Sequence, residues 1–150
     1  MKIALVYNGI TRDMLLHGPL DQTAEIDGPL TIATLREAIT VQGHEVVLVE
    51  ANEEAYERLR TSGVDLVFNV AEEMRGADRE AQTPAMLAML GIPYTGSGPV
   101  SLALCLHKGK AKEVLSWYGM PTPVFQDCKT LPYEPCALSN VVIGVASICA

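Results

Sequence analysis

The apolar positions of this chain change their spacing in a repeating order. Residues 2–8 (KIALVYN) form a continuous apolar run rich in β formers, the pattern of a strand covered on both faces. Ile32, Leu35 and Ile39 then fall at helical spacing, after a Gly28-Pro29 start and before a Gly43 stop. Residues 44–51 (HEVVLVEA) read as a second strand. Asn52 is the expected cap of the following helix, Glu53 and Glu54 suit its positive end, and Gly63 closes it. Residues 64–70 (VDLVFNV) are a third strand. The next helix is expected to begin at Thr83-Pro84, because a start at Asp78 leaves Pro84 inside the helix without an N–H to donate. Gly91 ends it, and residues 92–95 form a fourth strand. Pro99 opens further helical segments, Gly119 closes the last, and Pro121-Thr122-Pro123 reads as an extended linker. The order βαβαβαβα predicts an α/β fold with a parallel sheet and helices on both faces.

Two stretches depart from this pattern. Residues 8–27 show no clear period over about twenty residues, longer than the usual strand-to-helix loop, and loops of that length are commonly functional. After Gln126 the periodicity decays, and the closing run NVVIGVASICA resembles a strand without a following partner. The expected division is therefore one domain over residues 1–120, with residues 121–150 a linker and the truncated or altered start of something further.

Hydrophobic residues make up 49% of the chain and aromatic residues only 5%, so the core is aliphatic. The net charge of −7 argues against general nucleic-acid binding, which needs clustered cations. No apolar run reaches membrane-spanning length, and the amino-terminal run is too short for a secretory signal, so the expected location is cytoplasmic. Cys105, Cys128, Cys136 and Cys149 show no CxxC spacing and are expected as free thiols. His17, His44 and His107 are scattered and suggest no metal or nucleophile site, and no catalytic or metal-ligating residue is assigned.

In open parallel sheets ligands sit at the carboxyl ends of strands, here residues 69–78 and 95–98. Residues 96–101 (GSGPVS) partly fit a phosphate loop, but Ser101 stands at the third glycine position and the loop follows the fourth strand. The alternatives are a helix start facing an anion and an ordinary Gly/Pro turn. Glu72, Glu73, Asp78 and Glu80 surround a strand end and could meet a cation or a substrate amine, or simply form a polar loop with capping acids. Lys108, Lys110 and Lys112 could face nucleotide phosphates or water. Residue chemistry alone stops at an α/β domain that forms one wall of a ligand site.

The segments DLVFNVAE, GADREAQTPAMLAMLGIPYTGSGPVSLALCLHKGKAKEVL and YGMPTP resemble the N-terminal region of D-alanine–D-alanine ligases and their ATP-grasp relatives, over residues 1–126 and most strongly over 65–123. The resemblance implies a Rossmann-like pre-ATP-grasp domain at 1–120, preceding an ATP-grasp unit. It implies a ligase that uses ATP and magnesium to phosphorylate one carboxylate, which the amine of a second amino acid or dipeptide substrate then attacks, for peptidoglycan precursors. On this likeness Lys108 matches the lysine that reaches ATP, and Glu25 the acid that meets the first substrate's ammonium. Asp78, with Gly76 and Gln82, fits part of the signature after the third strand, and Ser97 lies in the substrate-side turn. The signature's His-Gly would fall at Glu72-Glu73 and is absent, which points to another amino acid or a peptide as substrate. The ATP-grasp lysine and Gly/Ser loop expected after PTPVF are also absent, so the 150 residues are expected to have no ligase activity alone. The other reading is a non-catalytic binding domain of the same fold, with a homodimer as its candidate partner.

Overall fold

The computed structural model describes residues 1–9, 28–72, 76, 78–123 and 125. Its elements are β1 (Lys2–Tyr7), α1 (Pro29–Val41), β2 (Glu45–Glu50), α2 (Ala55–Ser62), β3 (Leu66–Asn69), α3 (Arg79–Leu90), α4 (Pro99–Leu106) and α5 (Lys108–Trp117). The three strands form a parallel sheet in the order β2-β1-β3, giving the predicted α/β class. The long loop before residue 28 and the tail after 125 lie outside the described residues, apart from residues 8 and 9.

Strand order fixes where the helices go. The chain moves from β1 to β2 in one direction and then jumps back across β1 to β3. Right-handed crossovers in opposite directions place their helices on opposite faces. The burial agrees. Ala4 and Val6 of β1 pack with Val49, Val67, Ala55 and Leu59 of α2, and Leu87 of α3 in one cluster. Ile3 and Leu5, which point to the other face, are also buried, as is Ile32 of α1. A strand covered on both sides needs the unbroken apolar run seen at 2–8.

Residues 92–95 lie beside β3, but as a single bridge rather than a full strand. Val67 N–H donates to the Pro93 carbonyl at 2.8 Å, and Thr95 N–H donates to the Val67 carbonyl at 3.0 Å. Pro93 has no N–H to extend the ladder. Two residues further along β3, Asn69 N–H bonds the Thr95 hydroxyl at 3.1 Å instead of a backbone carbonyl, as the chain turns away.

Two helix starts differ from expectation. α3 begins at Arg79, with Asp78 at the cap position, and runs through Pro84. The Pro84 ring is among the most deeply buried side chains, so its apolar contact offsets the backbone bond it cannot make. α2 begins at Ala55 with Glu54 at the cap position. Asn52 acts earlier, its Oδ1 accepting from Glu54 N–H at 3.0 Å in a turn that leads into the helix. On α2, Arg60 forks onto Glu57 at 2.8 and 2.6 Å and holds its carboxyl below the usual range, while Arg58 Nη2 donates to the Leu48 carbonyl of β2 at 2.9 Å. The helical stretch 99–119 divides at His107, whose ψ of 82° breaks the run into α4 and α5. No described helix is long and apolar enough to cross a membrane.

Candidate functional site

The strand order reverses between the carboxyl ends of β1 and β3, which is the place where sheets of this kind hold ligands. Short polar side chains at the strand ends build its floor. Asn8, 9% exposed, follows β1 and accepts from Glu72 N–H through Oδ1 at 2.7 Å. Asn69 ends β3 and accepts from Ala71 N–H at 3.3 Å, while its own N–H is held by Thr95. Three chain segments far apart in sequence are thereby pinned to one edge. Beside them Gly9 approaches the end of β2 so closely that a Cβ there would lie 2.8 Å from Glu50 Oε1.

The described residues among those predicted lie on three different segments. Asp78 is exposed at the head of α3 and makes no side-chain cap bond to it. Ser97 is exposed in the turn that leads from Thr95 to α4, between Gly96 and the extended Gly98 cap. Lys108 is the first residue of α5 and is exposed. The three lysines do not share one role: Lys110 pairs with Glu113 at 2.7 Å, and the Lys112 ammonium lies 5.4 Å from the centre of the Phe125 ring. Glu25 and Glu73 lie outside the described residues. Among the described residues no group of three His, Cys, Asp or Glu side chains is placed to hold a metal ion.

Sequence reasoning missed the bonding roles of four residues. Asn8, Asn69 and Thr95 were visible only as polar residues closing apolar runs. His107 reads in the sequence as one of three scattered histidines, yet its Nδ1 accepts from Lys110 N–H at 3.4 Å and caps α5 beside Lys108.

The turn that carries Ser97 depends on Gly96, whose φ of +102° is a conformation that L side chains avoid. Gly96→Ala is expected to cost about 1 kcal/mol through backbone strain, since nothing crowds the position. Urea unfolding checks it, with Gly28→Ala, at an ordinary φ of −66° and equally open, as the unstrained control.

No family model matches the chain. Among curated proteins, the D-alanine–D-alanine ligase of Moorella thermoacetica is 38% identical over 88 residues, 59% of this chain and 28% of that protein. Over that stretch this chain is similar to the D-alanine–D-alanine ligases. The ligase of Syntrophotalea carbinolica matches it at 32% over 108 residues, 67% of this chain and 35% of that protein. An uncharacterised protein of Sinorhizobium fredii matches at 38% over 104 residues. The D-alanine–D-alanine ligase of Bacillus anthracis, solved in complex with ATP, superposes with a TM-score of 0.52 at 23% identity, over 83% of this chain and 38% of that one. That superposition establishes a shared fold. The chain spans about three-tenths of the length of the curated ligases it matches.

Proposed function

We propose that these residues are the N-terminal, pre-ATP-grasp portion of an ATP-dependent carboxylate–amine ligase. The observation that carries the reading is the 38% identity to the Moorella thermoacetica ligase. The fold shared with an ATP-complexed ligase supports it. In the reaction, a carboxylate oxygen of the first amino acid takes the terminal phosphoryl group of ATP and ADP leaves. The amine of the second then displaces phosphate and forms the amide bond.

The described residues fit part of this task. Lys108, a compact cation at the head of α5, would meet a nucleotide phosphate as a point charge. Asp78 would pair with a substrate ammonium and Ser97 would hydrogen-bond the substrate; Glu25, outside the described residues, would meet the first substrate's amine. Magnesium would neutralise phosphate charge when bound. Its carboxylate ligands belong to the ATP-grasp unit of the complete ligase, so the 150 residues alone are inactive. The cellular setting is cytoplasmic synthesis of cell-wall precursors.

Calorimetry with ATP and magnesium tests the reading, alongside ADP release in the presence of D-alanine. The expected result is no turnover by the 150 residues, and weak or absent nucleotide heat. Joined to an ATP-grasp unit, the protein is expected to turn over, and Lys108→Ala to lower kcat/KM by about tenfold or more, the loss of one charge-assisted phosphate contact. An unchanged kcat/KM removes Lys108 from the nucleotide site.

A second reading, an assembly domain that pairs with a copy of itself, is favoured by the exposure of Trp117, Tyr118 and Met120 at the end of α5. Sedimentation of the chain decides it: stable dimers without nucleotide binding support assembly, and monomers remove it.

A further inference from the structure

The end of α5 is built to turn the chain back on itself. Met120 N–H donates to the Leu115 carbonyl at 2.9 Å and Gly119 N–H to the Ser116 carbonyl at 3.0 Å, with Gly119 at a φ of +66°. This pair of bonds is the Schellman closure, which satisfies the last carbonyls and redirects the chain. Pro121 and Pro123 then restrict the backbone to extended conformations. Two residues later the Phe125 ring lies under the ammonium of Lys112, 5.4 Å from ring centre to Nζ. Lys112 stands five residues before the end of the helix, so the chain has doubled back beside α5. Burial follows the same line. Thr122 and Phe125 are half-buried, whereas Trp117, Tyr118 and Met120 at the bend are exposed.

We infer that residues 120–123 and Phe125 form a strap held along α5, with the Lys112 ammonium on the Phe125 ring as its clasp. A cation over an aromatic face is attracted by the ring's negative face, and the lysine stem covers apolar surface beside it. The linker is therefore not a free hinge. The chain leaves the domain in a direction set by α5, whether or not Lys108 meets a nucleotide.

Chymotryptic cleavage after Phe125, followed by mass spectrometry on the folded 150-residue chain, tests the clasp. A contact of ordinary exposed strength holds the strap closed by a factor of about two to five. Lys112→Met keeps the stem and removes the charge, so it is expected to speed the cut by that factor. Lys112→Arg retains the cation and is expected to cut at the wild-type rate. Equal rates for Lys112→Met and wild type overturn the clasp and leave only apolar packing. Fast cutting of Lys112→Arg overturns it as well, since the contact would then not depend on the cation. The ring current gives a readout in the unmutated protein that needs no variant to fold. The Lys112 ε-methylene protons are expected upfield of the other lysines, and random-coil shifts there overturn the proposal.

Discussion

Replacing Leu5 by alanine is expected to lower the unfolding free energy by about 2–5 kcal/mol. Leu5 is fully buried in the central strand, and the register sets it level with Leu48 on one side and Phe68 on the other. Its side chain lies in the face opposite the Ala4 and Val6 cluster, so that both layers of the fold depend on β1. Removing three carbons there leaves a cavity that rigid neighbouring strands close poorly. Val100→Ala is the contrast: its side chain is 80% exposed at the start of α4, and its loss is expected to stay within about 0.5 kcal/mol. Urea titration of both variants measures the difference. A loss below 1 kcal/mol at Leu5 would mean that the central strand is not the spine of the core.

Asn8→Ala is expected to be the costliest change on the candidate site's floor, about 1–3 kcal/mol. It removes the acceptor that holds Glu72 N–H at 2.7 Å, and it joins two strand ends that are 64 residues apart in sequence. Asn8→Asp keeps an acceptor oxygen in the same place and is expected to recover most of the loss. Amide exchange at Glu72 separates the two outcomes. Faster exchange in the alanine variant with near-native exchange in the aspartate variant supports the bridge. Equal exchange in all three proteins shows that Glu72 N–H is protected by other means.

The strands and most helix ends were legible in the sequence because local chemistry decides them. An unbroken apolar run at 2–7 has no solution but a doubly covered strand, and Gly63 and Gly91 stop their helices in the left-handed conformation. Pro84 was misread because its cost is local while its compensation is not: the ring is buried in the assembled fold, which no window of sequence displays. Residues 92–95 were overread for the opposite reason. Their β propensity is real, but a single proline in the ladder limits pairing to one bridge. Asp78, Ser97 and Lys108 stand out in the sequence as a loop acid, a Gly/Ser turn and a lysine run, whereas the bonds that tie Asn8, Asn69 and Thr95 to neighbouring segments emerge only once β1 and β3 stand side by side. His107 was invisible for a related reason, since a histidine serves as a helix cap only when the preceding helix breaks beside it.

The bond from Arg58 to the Leu48 carbonyl has a consequence for how copies of this protein avoid one another. Among the described residues β2 is an outer strand, and its free side offers a template on which another chain could add. Arg58 occupies an acceptor in the middle of that side, while the acids at the two ends of β2 turn toward β1, Glu45 to Lys2 and Glu50 to the backbone at Gly9. An incoming strand would have to displace that guanidinium before it could reach the carbonyl. The same helix that covers the core thus also guards the open border of the sheet against amyloid-like stacking.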